Sequence, residues 1–347
     1  MSHQPGKDIP ALAIVIPAYK NDYLDRTFLS IAKQTCKEFT VYIGDDASPN
    51  CLKLIVDKYR DKFRIIYKYF DENLGKNDLV AHWERCIDLV GDENWIWLFS
   101  DDDLMESTCV EEFYNTLRES SDFDLFHFSV LQIDENEKVI GHISAYPEIL
   151  SVEEFLMNRL KGGFNSYVVE FIFRKSSFYE KGRFENFDLA WCSDDATWIK
   201  LGKNKGIRTM EKSKVFWRRS PFNITPDLNP DILERKFYAE ISFADWVLKQ
   251  TQKNEIRTDF SKTNKLLKNW YFRSIKSKIN LLSLKQVRSY ISRYYLIINL
   301  KDCSDQMLFM FYLINRINAY FRERLKQLLH LKYLRSRLRV GVTIFSA

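Results

Sequence analysis

Short apolar runs alternate with helical-period segments through the N-terminal third of the chain. Leu12–Ile16 is an apolar run ending at Pro17 and is expected as a buried parallel strand. Tyr23–Lys33 then places Leu24, Phe28 and Ile31 on one helical face. Phe39–Ile43, Arg64–Tyr69 and Trp95–Phe99 repeat the strand pattern, with helical segments at Leu52–Tyr59 and Leu79–Leu89 between them. This βαβαβαβ order predicts an α/β fold: a Rossmann-like, mostly parallel sheet flanked by helices. Further on, Asp124–Leu131, Val168–Arg174 and Gly206–Arg218 are expected strands. Ser151–Leu160 is an expected helix with Ser151 as N-cap and Glu154 completing a capping box. Beyond Pro230 the pattern turns helical, and Val287, Tyr290, Ile291, Tyr294, Ile297 and Ile298 share one face.

Polar groups collect where the early strands end, the edge at which open α/β sheets bind ligands. Ser100-Asp101-Asp102-Asp103 follows a strand of Trp, Ile, Leu and Phe. Adjacent carboxylates repel one another, and a divalent cation keeps them ionised. Oxygen ligands suit Mn²⁺ or Mg²⁺ bridged to substrate phosphates, and the competing reading is a solvated acidic turn. Pro17-Ala18-Tyr19 and Asp45-Asp46 stand at the ends of the first two strands. A carboxylate there accepts an N–H of a pyrimidine base, although the same residues also form ordinary turns.

Asp194-Asp195, between Trp191 and Trp198, is an expected general base, with helix capping by Asp194 as the alternative. Arg218-Arg219 could hold a departing diphosphate through bidentate, charge-assisted bonds, or form surface ion pairs.

The order of these motifs resembles the family 2 glycosyltransferases. Pro17-Ala18-Tyr19-Lys20-Asn21 resembles the family's "P-x-Y-N" opening, and Ser30 to Thr35 its "S-x-x-x-Q-T" helix. Asp45-Asp46-Ala47-Ser48 resembles "V-D-D-x-S", Asn73-Leu74-Gly75 "N-x-G", and Asp101-Asp102-Asp103 the DXD-type metal motif. Gly182-Arg183-Phe184 resembles the "G-x-F" before the acceptor loop, and Asp194-Asp195 stands where the family has Glu-Asp. The resemblance covers about residues 10 to 225. It implies a GT-A fold, an inverting mechanism by direct displacement, and a nucleotide-diphospho-sugar donor. By the same resemblance Pro17, Ala18, Tyr19, Asp45 and Asp46 contact the nucleoside, with Asp101, Asp102, Arg218 and Arg219 on the nucleotide. Asp102 and Asp103 hold the metal, with Asp101 the alternative first member of the motif. Asp195 is the base, supported by Asp194, or the roles are exchanged. No "Q-x-x-R-W" stands near Trp217, which implies single additions and not polymerisation. The implied setting is bacterial surface polysaccharide assembly.

Charge adds a second region. The net charge of +5 over 347 residues conceals 21 Lys and Arg against 6 Asp and Glu in residues 241–347. Residues 1–240 are correspondingly acidic. The expected division is therefore a catalytic domain at 1–230 and a basic helical region at 231–347. Lys and Arg near an anionic membrane each contribute about 1 kcal/mol, and such a surface would bring the site to a lipid-linked acceptor. Phe321, Leu325, Leu328 and Leu329 form a partial apolar stripe, interrupted by Lys332 and Arg339. Packing on the catalytic half or an oligomer interface are the other readings. Nucleic acid is disfavoured, because no recognition motif accompanies the charge. The six cysteines lack zinc spacing, and neither a secretory h-region nor a spanning apolar stretch is visible. A cytoplasmic protein, peripheral at the inner face of the plasma membrane, is expected.

Two alternatives to a glycosyltransferase are carried. A sugar-1-phosphate nucleotidyltransferase usually has a Gly-rich loop after its first strand, and Pro17-Ala18-Tyr19-Lys20 has no glycine. A catalytically silent relative would not need the carboxylates that this sequence retains.

Overall fold

The computed structural model describes residues 12–142, 146–278, 281–298 and, in part, 313–329. The chain separates into two compact units, residues 1–270 and 271–347.

The first unit is built on one sheet. Its strands are β1 (Leu12–Ala18), β2 (Phe39–Asp45), β3 (Arg64–Tyr69), β4 (Trp95–Leu98), β5 (Leu104–Met105), β6 (Leu125–Ile133), β7 (Val139–His142), β8 (Ile149–Leu150), β9 (Phe171–Arg174) and β10 (Ile207–Arg218). The order is β3-β2-β1-β4-β9-β6-β10-β5, with β7 against β6 and β8 against β10. β1 to β4 pair in parallel, as does β6 with β10, while β9 runs antiparallel between β4 and β6. Helices α1 (Leu24–Ala32), α2 (Leu52–Asp57), α3 (Leu79–Ile87) and α4 (Cys109–Glu119) connect or flank the parallel strands. They are followed by α5 (Val152–Lys161), α6 (Lys175–Glu180), α7 (Ser193–Leu201), α8 (Pro230–Gln252) and α9 (Phe260–Lys278). α9 runs across the division between the units.

The strands form where the apolar runs stand because both faces of the sheet are covered. Leu12 to Ile16 of β1 and Trp95 to Leu98 of β4 are buried throughout. β1 continues through Pro17 to Ala18, past its expected end. The Val15 carbonyl accepts from Phe99 N–H (2.8 Å), so Val15 and, two residues on, Pro17 direct their backbone toward β4. β4 ends at Leu98, level with Val15, so no ladder bond is lost at the proline. The Ser151–Glu154 capping box is present, and α5 closes on Gly162 in the left-handed region. Val168–Arg174 is not one strand: Val168–Glu170 is a 3-10 turn, and only Phe171–Arg174 pairs in the sheet.

In the second unit, helix α10 (Leu284–Ile298) buries Val287, Tyr290, Ile291 and Tyr294, the expected face. The side chains of Ile297 and Ile298 lie outside the described residues, as do Lys332 and Arg339. Tyr294 stacks on Tyr271 with centroids 4.0 Å apart. Phe321, Leu325, Leu328 and Leu329 are exposed. No helix of the described residues is long and apolar enough to cross a membrane.

Candidate active site

The segment after β4 turns its three aspartates in different directions. Asp101 Oδ2 accepts the backbone N–H groups of Tyr19 (3.0 Å) and Lys20 (2.9 Å). The Lys20 ammonium donates to Asp102 Oδ2 (2.6 Å) and lies 3.4 Å from Asp101. Asp103 Oδ1 accepts the Arg218 N–H (2.7 Å). That leaves Asp102 Oδ1 and Asp103 Oδ2 buried with no hydrogen-bond partner. Burial first, and the Asp102 charge second, push the Asp103 carboxyl well above its ordinary range. Of the three, only Asp103 lines the adjoining cavity of about 360 Å³.

The same cavity is lined by Asp194 and Asp195 in the first turn of α7. The turn leading to them is strained: Leu189, Ala190 and Cys192 all have positive φ. Each is in the left-handed region, which costs about 1–3 kcal/mol and persists only where the surroundings impose it. The Ser193 hydroxyl accepts from Phe187 N–H (3.0 Å) and helps to fix the turn. Asp195 is buried, and both its oxygens accept from the Arg159 guanidinium, at 2.6 to 3.1 Å. Asp194 is only partly buried, and its Oδ1 accepts the Asp195 N–H (2.9 Å). Burial, then the neighbouring Asp195 charge, pushes the Asp194 carboxyl up to about 8. Capping is not the role of Asp194, since the N-cap position is Cys192.

Arg159 was not among the residues singled out from the sequence. It stands in the last turn of α5 and lines the cavity. Its remaining nitrogen donates to the Phe164 carbonyl (2.8 Å). Beside it, Tyr167 stacks on Trp217 with centroids 4.3 Å apart. Glu170 accepts the Tyr167 N–H (2.6 Å) and lies 3.1 Å from His127 Nε2.

The candidate nucleoside residues gather at the ends of β1 and β2, outside the cavity. Asp46 is buried, accepting the N–H groups of Leu74 (2.9 Å) and Gly75 (2.9 Å) and pairing with Arg85. Burial raises its carboxyl above the ordinary range. A Cβ on Gly75 would lie 2.7 Å from Asp46 Oδ2, so the glycine permits this approach. Asp45 is committed to the fold: Ser48 N–H and the Tyr67 hydroxyl donate to its two oxygens. Pro17 and Ala18 are in β1, and Tyr19 is 41% exposed beside them.

Arg218 does not face the cavity. It is 0% exposed, and its guanidinium donates to the carbonyls of Asp102, Asp134 and Glu135. The expected diphosphate contact therefore gives way to a structural role, because the backbone around Asp102 and Asp134 absorbs its donors. Arg219 is exposed.

Among the described residues no group of three or more His, Cys, Asp and Glu is arranged to hold a metal by itself. The two orphaned oxygens of Asp102 and Asp103 nevertheless fit a hard divalent cation. Such ions take one or two carboxylates and complete their shell with water and substrate phosphate. Asp101 fits less well, since two backbone N–H groups occupy its Oδ2 and it has no orphaned buried oxygen.

The profile of the family described as "Glycosyl transferase family 2" matches residues 13–182. Validoxylamine A glucosyltransferase of Streptomyces hygroscopicus subsp. limoneus is 41% identical over 70 residues, 19% of this chain and 15% of that protein. The chain thus matches only a small part of that relative's length. Among solved structures, S. aureus TarS 1-349 in complex with UDP-GlcNAc superposes with a TM-score of 0.62 at 14% identity. It covers 82% of this chain and 79% of TarS 1-349. GalNAc-T7 with UDP, GalNAc and Mn²⁺ gives 0.50 at 12% identity, over 79% and 58% of the two chains. Through residues 13–182 the chain belongs to glycosyl transferase family 2, and its architecture is the GT-A fold.

Proposed function

We propose that the chain is an inverting, non-processive glycosyltransferase that moves a sugar from a nucleotide-diphospho sugar to a hydroxyl of a glycan or lipid-linked acceptor, in bacterial surface polysaccharide assembly. The observation that carries this reading is the single cavity with Asp103 and the Asp194-Asp195 pair in its wall. In-line displacement needs positive charge at the leaving diphosphate, from a metal or an arginine, and a base at the incoming hydroxyl. It needs no protein nucleophile.

Asp103, with Asp102 Oδ1, would hold Mn²⁺ or Mg²⁺, which supplies charge neutralisation at the leaving diphosphate. Arg219 is the cation of the expected arginine pair that remains exposed, and it serves the same charge. Asp46, steadied by Arg85 and the Leu74-Gly75 backbone, offers its carboxylate edge to the base of the nucleotide. Asp194 takes the acceptor proton. A carboxyl pushed up to about 8 is a stronger base than an ordinary aspartate once ionised. Asp195 stays in the catalytic pair, oriented by Arg159 beneath Asp194. The two share one site, so their titration belongs to the pair. UDP donors in the TarS structure and UDP with Mn²⁺ in GalNAc-T7 support this choice of donor and cation. Residues 1–230 are the proposed catalytic domain, with α8 closing the cavity behind them. The basic residues beyond 241 are proposed to meet an anionic membrane surface on the cytoplasmic side.

The test is incubation with UDP-, GDP- and dTDP-sugars and Mn²⁺, following diphosphate release and product anomers by NMR. Release of a nucleoside diphosphate with inversion is expected. Pyrophosphate formation from a sugar 1-phosphate and a nucleoside triphosphate would instead identify a nucleotidyltransferase, and no turnover at all a silent relative.

A further inference from the structure

The cavity reaches beyond the region that matches the family. Residues 13–182 supply Asp103, Tyr167 and Arg159, but Trp191, Glu240 and Trp270 also line the wall. Tyr167 and Trp217 stand near Asp103, since Arg218, next to Trp217, donates its N–H to that aspartate. Trp191 belongs to the strained turn that leads into Asp194. Its indole N–H donates to Glu240 Oε1 at 3.3 Å, and the Lys236 ammonium lies 4.9 Å from its ring centroid. Glu240 and Lys236 are both buried on α8. Trp270 is held against Phe243 of the same helix, with centroids 5.7 Å apart. The wall next to the base is therefore made by α8 and the chain that follows it.

We infer that Trp191, Glu240 and Trp270 form the subsite for the acceptor, and that the group bound there is an uncharged hexopyranose ring with free hydroxyls. This rests on the glycosyltransferase reading above. An in-line transfer puts the acceptor on the base's side of the donor sugar, away from the diphosphate. The lining there is aromatic surface with one buried carboxylate. Indole faces cover the C–H face of a pyranose, and a carboxylate accepts from hydroxyls at its edge. A uronate carboxylate would meet Glu240 at close range, while Arg159 and Lys236 are already engaged by Asp195 and by the Thr225 and Asp227 carbonyls, so an anionic ring is disfavoured. Glu240 does double duty: it fixes the Trp191 indole and presents an acceptor atom to the sugar. It is an acceptor-binding residue and takes no part in proton transfer.

The test uses the full chain with UDP, GDP or dTDP and Mn²⁺, and saturation-transfer NMR with neutral methyl hexopyranosides and the matching uronates. Saturation of at least one neutral glycoside, and of no uronate, is expected. E240Q keeps the side chain's shape but weakens the hydroxyl contacts, so glycoside binding should fall about tenfold. W191F should lower it further by reducing the face and removing the bond to Glu240. Nucleotide titration by calorimetry checks that each variant is folded. No neutral glycoside bound by a wild-type protein that binds nucleotide would overturn the inference. So would equal binding of uronates, or E240Q indistinguishable from wild type. Absence of both nucleotide binding and donor turnover would overturn the glycosyltransferase reading itself, and this inference with it.

Discussion

Two runs of adjacent aspartates shape the cavity, and their neighbours sort them in opposite ways. In Asp101-Asp102-Asp103 the first residue is taken by two backbone N–H groups and Lys20 takes one oxygen of the second, so the unpartnered oxygens are one on Asp102 and one on Asp103. In Asp194-Asp195 the second residue is taken by Arg159, and the first is left more open, its carboxyl pushed up by burial and by its neighbour's charge. Both runs crowd negative charge into a poorly solvated place, which raises carboxyl pKa values. Proton affinity rises in both, at Asp103 and at Asp194, but among the two runs only the first holds buried carboxylate oxygens with no hydrogen-bond partner. Adjacent carboxylates therefore do not announce a role; the donors beside each run decide it.

The comparison breaks most visibly at Asp194. D194N removes the proton acceptor but keeps the side chain's shape, and transfer should fall about 10²–10⁴-fold. Steady-state rates with nucleotide binding unchanged would bear this out. A D194N enzyme as active as wild type, with D195N inactive, would move the base to Asp195. The pH profile sharpens the same point. The base works when deprotonated, so kcat/KM should rise with pH and level off above about 8.

Arg159 comes next. R159M leaves Asp195 buried without its partner, an arrangement that typically costs about 3–5 kcal/mol of stability. The guanidinium charge also favours the ionised form of Asp194, so its loss should move the kinetic inflection to higher pH. R159K should restore part of the inflection while leaving the rate low, because an ammonium cannot hold both oxygens of Asp195 as a fork. An unmoved inflection in R159M would separate Arg159 from the base.

A smaller effect is expected at Gly75. G75A brings a Cβ to 2.7 Å from Asp46 Oδ2 and should displace that carboxylate. The donor KM should rise about tenfold, a change of roughly 1.4 kcal/mol, with little change in kcat. An unchanged donor KM would disconnect Asp46 from the nucleotide.

Much of this framework was legible in the sequence, because it depends on local pattern. The strands β1 to β4 follow from their apolar runs, and the Ser151–Glu154 box marks the start of α5. Pro17 misplaced a strand end, since a proline's cost depends on which neighbour its missing N–H would face. Val168–Glu170 reads as strand because two valines lead into the apolar Phe171–Phe173 run, yet Glu170 turns back to accept the Tyr167 N–H.

The site was legible as a set of residues but not as a set of partners. Arg159 meets Asp195 across 36 positions of sequence, and nothing local marks that pairing. Arg218 and Arg219 are neighbours of the same type; one is sealed among carbonyls and the other exposed, a difference of burial that composition does not carry. Trp191 and Glu240 were beyond reach for the same reason, since α8 meets the strained turn only in the folded chain.

The most direct test of the account is calorimetric titration of UDP into the wild-type chain, D103N and D101N, each with and without Mn²⁺. The account predicts that Mn²⁺ strengthens UDP binding to the wild type and to D101N, and that D103N loses most of that gain. A D103N protein that keeps the full Mn²⁺ effect would contradict it.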